Sequence, residues 1–455
     1  MEIDMQNLLG VMVAPMDADN PAVRRYNSLC FHCGNCKWTC MDQAGVLGRY
    51  NLEKTGGNAV CIYCGQCANE CPGFAMNERE EYPAVKEAIA AHGKVVIAST
   101  SPAVRASISE EFGLGVTFSQ GKLVALLKKL GFDYVLDTNF AADLTIVEEA
   151  TELVSRIKNG GTLPMFTSCC PSWVRYAEIF YPRLIPNISS VKSPICMQGP
   201  IIKTWFARNA GIDPKSIVNV AVAPCTAKKY EIRLPGRDSA LGNGTPDMDS
   251  VITTRELAKW AREAEVDFAS LEDMDYDSLS GTGAGAIFGA TGGVMEAALR
   301  TAYFYLNGVN PPEDFMELKP IRGLEDCREA EIDLGAAKLN VAVIYGTANA
   351  GAFIDRMEES GKAYHFIEVM TCPGGCSGGG GQPKGFVIKG GIPDAKRVNA
   401  LFSRDKSMAL RLSHENPEIK ALYRELLGEP GGEEAERLLH TAYVDRSAVL
   451  TGAKL

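Results

Sequence analysis

The chain has 455 residues, 46% of them apolar and 22% charged, and a net charge of −10. At roughly 150 residues per domain this length implies two to four domains, and the composition excludes a disordered, collagen-like or coiled-coil chain. The acidic balance argues against nucleic acid as a partner, and no stretch of ~20 uncharged apolar residues is present to cross a membrane.

The first residues, MEIDMQNLLGVMVAPMDADNP, carry acids where a secretory signal would be basic, so a cytoplasmic location is expected. Fifteen cysteines in such a chain point to metal rather than to a disulfide framework.

Residues 1–80 read as a short, turn-rich unit. Cys30, Cys33, Cys36 and Cys40 form C-x2-C-x2-C-x3-C, and Cys61, Cys64, Cys67 and Cys71 repeat it 31 residues later, with Pro72 after the last. A tight loop can aim three thiolates at one cubane while the fourth cysteine, carried off on the next turn, reaches the other cluster. Cys30, Cys33, Cys36 and Cys71 are thus assigned to one [4Fe–4S] cluster, and Cys61, Cys64, Cys67 and Cys40 to a second. Zinc sites use paired cysteines or cysteine with histidine, and the third cysteine of each run does not fit them. His32, inside the first run, reads as a polar loop residue, since the cysteines suffice. The unit resembles bacterial dicluster ferredoxins over residues 25–76.

Residues 84–390 alternate strands and helices. Runs such as 95–98, 217–222 and 339–344 have the continuous apolar character of buried parallel strands. Helical patterns cover 121–131, 143–158, 197–210, 292–306 and 350–360. The expected fold is an α/β domain with mostly parallel sheets flanked by helices, joined to the small α+β unit. Residues 391–455 read as a helical extension packed on that body, with a loop over 428–432. The run GGCSGGGG at 374–381 is too glycine-rich for a regular element, and backbone there is expected to approach a bound group closely.

Three cysteine-bearing segments follow expected strands: Thr167-Ser168-Cys169-Cys170-Pro171-Ser172-Trp173, Ala223-Pro224-Cys225-Thr226-Ala227-Lys228-Lys229, and Met370-Thr371-Cys372-Pro373-Gly374-Gly375-Cys376. Loops at the carboxyl ends of parallel strands are where α/β sheets bind ligands. One thiolate from each of the first two loops and two from the third would hold a further [4Fe–4S] cluster. The fifth, spare cysteine is a candidate proton carrier, since a thiol titrates at about 8.5 in water.

These three segments resemble, in order, the signature motifs of the [FeFe] hydrogenases. The segments 287–296, 413–417 and 438–443 are similar to that family as well, so the resemblance covers nearly the whole chain. It implies reversible 2H⁺ + 2e⁻ ⇌ H₂ at an H-cluster, a [4Fe–4S] cubane joined through a cysteine sulfur to a two-iron centre carrying CO, cyanide and azadithiolate. It assigns Cys170, Cys225, Cys372 and Cys376 to the cubane, with Cys376 bridging. It makes Cys169 the proton-passing thiol and Lys228 a donor to cyanide. Met370, Phe288 and Pro102 would wall the two-iron centre. Glu149, Glu152 and Arg156 share one helix face. By themselves they read as a solvated stripe. The resemblance makes them, with Ser189, a proton relay from the Arg156 surface through Glu152, Ser189, Glu149 and a water to Cys169. It also implies a soluble ferredoxin or flavodoxin as electron partner and dedicated maturation proteins, with the chain acting as monomer or homodimer.

Three positions depart from the family pattern: Ala223 stands for a common Met, Ser172 for Gly and Ile195 for Gln. Cys196 and Cys327 belong to no motif and read as buried small residues. Two other readings share the scaffold. A sensory relative would lack the Cys169 thiol and append a signalling domain. An iron–sulfur assembly relative would lack the complete second motif.

Overall fold

The computed structural model describes residues 12–385 and 394–453. The first residues of the N-terminal stretch and part of the 391–455 segment therefore lie outside the described residues. No described helix is long and apolar enough to cross a membrane. All fifteen cysteines are free of disulfides.

The cysteine-rich unit is built on a two-stranded antiparallel ribbon, β1 (Val23–Arg25) and β2 (Met76–Glu78). Each cysteine run enters a short helix, Asn35–Asp42 or Gln66–Asn69. Gly34 and Gly65 begin these helices at φ of 85° and 72°, a left-handed backbone that a Cβ disfavours.

Two four-stranded sheets form the body. One runs in the order β4 (Tyr134–Asp137), β3 (Val95–Thr100), β6 (Ile217–Ala223), β7 (Ser250–Thr253), and all its pairings are parallel. The other runs β5 (Met165–Phe166), β10 (Phe366–Met370), β9 (Lys338–Tyr345), β8 (Cys327–Asp333). There β9 pairs parallel to β10 but antiparallel to β8, so the expected parallel run at 339–344 is parallel on one side only. The fold is the expected α/β body with flanking helices.

The expected helices are present with shifted ends. The pattern at 143–158 lies within Thr138–Asn159, because Asp137 caps it by accepting from the Asn139 N–H at 2.7 Å. The pattern at 197–210 is not one regular helix. It starts at Pro194 and passes through a π turn at Ile202–Phe206 before resuming at Ala207–Ala210. Asp143, fully buried, accepts from the Thr282 N–H and hydroxyl, the Ser413 hydroxyl and the Asn416 amide. It thereby pins the 413–417 segment to the long helix. Burial lifts its carboxyl to about 6 despite these hydrogen bonds.

The glycine run does approach another group closely, and that group is protein. A Cβ on Gly380 would stand 2.1 Å from the Cys64 carbonyl oxygen, and one on Gly379 would stand 2.3 Å from that of Pro224. The Gln66 amide donates to the Gly378 carbonyl at 2.9 Å, and the Thr226 hydroxyl to that of Tyr63 at 2.8 Å. The second cysteine run is thus seated directly on the third-motif loop. Overpacking of this kind costs about 1–3 kcal/mol. Gly380→Ala is expected to lower the melting temperature measured by calorimetry. An unchanged melting curve would show that the contact is looser than described.

Candidate active site

The three cysteine loops leave the carboxyl ends of β5, β6 and β10, so strands of both sheets supply one site. Ser101 and Pro102 join them from the end of β3. The loops converge on one cavity. Cys169, Cys170, Cys225, Cys372 and Cys376 all line it, with Lys228, Met370, Phe288 and Pro102. The three departures from the family pattern, Ala223, Ser172 and Ile195, line the same cavity.

Local structure places these groups. Cys170 stands at the N-terminal cap position of the helix Pro171–Phe180, directly before Pro171. Lys228 begins the turn Lys228–Glu231, and its ammonium donates to the Cys169 carbonyl at 3.0 Å and pairs with Glu231 at 2.6 Å. Burial disfavours this ammonium, but Glu231 and the nearby thiols outweigh burial and hold it above its usual range. Glu231 was not singled out in the sequence, though its spacing from Lys228 was visible.

The thiols themselves are pushed the other way. Burial raises Cys225 to about 11 and lifts Cys169, Cys372 and Cys376 well above the ordinary value. Lys228 is the cation among the residues lining this cavity. Ionising several thiols together here would need the charge of a bound metal group.

The N-terminal cysteines also fall into sets. Cys30, Cys33, Cys36 and Cys71 line one small cavity, together with His32. His32 is exposed, at φ 58°. Burial, then Cys64 and Cys61, raise the half-buried Cys67, and Cys61 adds to burial in lifting Cys40 to about 12. Among the described residues no three His, Cys, Asp or Glu could hold a single metal ion.

Glu149, Glu152 and Arg156 lie on the helix Thr138–Asn159. Arg156 pairs with Glu152 at 2.6 Å, and the Ser189 hydroxyl donates to Glu152 at 2.7 Å. Glu149 is fully buried, not part of a solvated stripe, and neither carboxyl oxygen has a hydrogen-bond partner. Burial first, then the charges of Glu152 and Glu368, push its carboxyl well up. Burial is likewise the main cause that raises Cys169. The structure therefore joins Arg156, Glu152 and Ser189 directly, and leaves Glu149 linked to neither Ser189 nor Cys169 by a hydrogen bond.

Two cysteines stand apart. Cys196 is buried, as expected of a small residue. Cys327 is only partly buried, because it lies on the edge strand β8, with Arg356 3.9 Å from its sulfur.

Residues 94–380 match the family described as iron only hydrogenase large subunit, C-terminal domain, and residues 394–446 match iron hydrogenase small subunit. The chain belongs to the iron-only, or [FeFe], hydrogenase family. Iron hydrogenase 1 of Clostridium pasteurianum is 44% identical over 431 residues, covering 91% of this chain and 74% of that protein. The periplasmic [Fe] hydrogenase large subunit of Nitratidesulfovibrio vulgaris is 47% identical over 297 residues, covering 64% and 69%. Cytosolic iron-sulfur assembly component 3 of Bos taurus is 34% identical over 361 residues, covering 77% and 74%. A variant of the [FeFe]-hydrogenase of Chlamydomonas reinhardtii superposes with a TM-score of 0.69 at 38% identity, covering 80% of this chain and 98% of that one. This hydrogenase is an oxidoreductase. Its family uses the H-cluster with accessory iron–sulfur clusters, and the cysteine-lined cavity fits such a group.

An unfolded glutamate ionises near pH ~4.3, whereas burial keeps Glu149 protonated far above that. Above that pH the folded chain binds more protons than the unfolded chain, so this group makes stability decline as pH rises. Glu149→Gln is expected to make the fall in melting temperature between about pH 5 and about pH 8 shallower. An identical pH slope in the variant would mean that Glu149 is ionised in the folded hydrogenase.

Proposed function

We propose that this hydrogenase interconverts protons, electrons and H₂ in both directions at a buried H-cluster, with electrons passing through two N-terminal [4Fe–4S] clusters. When bound, the H-cluster supplies the iron site at which protons and electrons combine. The observation that carries the reading is the pairing of Cys169 and Glu149. Both are buried, both are held in the protonated form, and Cys169 lines the four-cysteine cavity.

Cys170, Cys225, Cys372 and Cys376 would hold the cubane, and the Lys228 ammonium would face the anionic ligands of the two-iron part. Met370, Phe288 and Pro102 exclude water from it. Cys169 presents an S–H at the cavity wall. Glu149 resupplies that proton, and Ser189 and Glu152 carry protons inward from the Arg156 surface. The missing contacts on either side of Glu149 call for water bridges.

The electron route follows the cysteine sets. Cys30, Cys33, Cys36 and Cys71 would hold the outer cluster, and Cys61, Cys64, Cys67 and Cys40 the inner one. Cys64 adds to burial in raising Cys372, so the inner set borders the H-cluster cavity. At the outer set Cys33 is exposed, and Leu29, Phe31 and Phe74 beside it are 52%, 62% and 61% exposed. Such a patch suits brief docking of a ferredoxin or flavodoxin. Dedicated maturation proteins would install the two-iron centre in the cytoplasm, and the chain would act as monomer or homodimer.

The test uses anaerobically matured protein whose loading is verified by infrared CO and cyanide bands. Cys169→Ala is expected to keep those bands and lose at least about a hundredfold in H₂ evolution from reduced viologen. A loaded Cys169→Ala protein at full rate would refute the relay and favour another donor. Phe31→Ser combined with Phe74→Ser is expected to raise KM for reduced ferredoxin about tenfold and to leave the viologen rate alone. An unchanged KM would place the docking surface elsewhere.

A further inference from the structure

The hydrogen-bond chain around Glu152 extends beyond the residues picked out in the sequence. Arg156 cannot feed it, because a guanidinium stays protonated in proteins. Its N–H groups are committed to Glu152 and to the carbonyls of Thr162, Pro186, Asn187 and Ile188. Arg156 therefore positions the Glu152 carboxylate and offers it no proton.

A second arm does lead to a titratable group. Ser190 donates to Glu152 through its N–H at 3.0 Å and its hydroxyl at 3.4 Å. The same hydroxyl lies 2.8 Å from His440 Nδ1, and His440 Nε2 lies 3.1 Å from a Glu148 oxygen. Glu148 is buried and also accepts from the Tyr423 hydroxyl and, at 2.9 Å, from the Gly431 N–H. Backbone pairing sets this geometry. Val191 bridges to His440, the Lys192 N–H donates to Leu439 and the Thr441 N–H donates to Ser190. The ring is clamped over Ser190 with its side chain 14% exposed.

We propose that His440 is a second proton port, which loads Glu152 through the Ser190 hydroxyl. The proposal rests on the proton-relay reading above. Imidazole is the side chain suited to exchange protons with water near neutral pH. In the step, protonated His440 gives its Nδ1 proton to Ser190 Oγ as the Ser190 hydroxyl proton passes to Glu152 Oε2. The neutral ring keeps its Nε2–H on Glu148, and no electrons move. Glu148 fixes the tautomer. The groups facing this arm are Glu148, Glu152 and Arg156 of the long helix, Tyr423, Tyr305 beside Glu148, and Tyr443, whose hydroxyl donates to the Ser189 carbonyl at 2.9 Å. The 3.4 Å contact is the longest link of this arm.

The test compares matured wild type, His440→Gln and Ser190→Ala in H₂ evolution from reduced viologen across about pH 5 to 8. Glutamine keeps hydrogen bonding but cannot titrate. His440→Gln is expected to lower the rate about threefold to tenfold, to change the shape of the pH profile and to enlarge the solvent deuterium effect. Added imidazole is expected to restore its rate. Ser190→Ala is expected to show the same loss without rescue by imidazole. An unchanged rate, pH profile and isotope effect in His440→Gln would overturn the port. So would a loss matched by a fallen melting temperature with the wild-type pH profile, because that marks a purely structural role. Glu149→Gln separates the two readings. If it is inactive while His440→Gln is wild-type, only the port fails. If Glu149→Gln is also fully active, the relay itself fails.

Discussion

The site is organised by a charge problem. Burial pushes Cys169, Cys225, Cys372 and Cys376 around one cavity toward the protonated form, and the cation lining that cavity, Lys228, is already paired with Glu231. Such a cage is stable only in two ways, as neutral thiols or around bound iron. The rest of the architecture serves this choice. Two sheets bring the carboxyl ends of β5, β6 and β10 to one place, and the glycine loop lets the second cysteine run rest against it.

The same burial sets the proton chemistry. Glu149 has no hydrogen-bond partner and sits beside a thiol that is itself protonated. A carboxyl kept neutral in this way can give and retake a proton without creating a buried charge that persists. Glu152 is the opposite case. It accepts hydrogen bonds from Ser189 and Ser190 and pairs with Arg156, near the surface. The proposed relay would thus run from a well-partnered carboxylate, 16% exposed, to an isolated one on the same helix.

Much of this was legible in the residues. Repeated cysteine spacing carries its own geometry, and continuous apolar runs gave β3, β6 and β9. The motif loops also identified every cysteine that lines the cavity. What could not be read depends on long-range packing. The partial exposure of Cys327 follows from β8 being an edge strand, which a short apolar pattern does not reveal. The π turn at 202–206 breaks a helix whose periodicity looked continuous. Helix spacing alone left Glu149 indistinguishable from Glu152, and only tertiary burial separates them. Ser190 and His440 lie 250 residues apart, so their contact is visible only once the C-terminal segment is seen to pair with Val191.

The chain's relatives include both hydrogenases and a cytosolic iron-sulfur assembly component, so membership of the scaffold alone does not decide turnover. Cys169 at the cavity wall argues against the sensory reading, and the complete motif from Cys225 to Lys229 argues against the assembly reading. The most direct measurement is H₂ production and H₂ uptake by the matured wild-type chain, with loading shown by its CO and cyanide infrared bands. The account predicts turnover in both directions. A fully loaded chain that turns over in neither direction would contradict it and point to a sensing or assembly role.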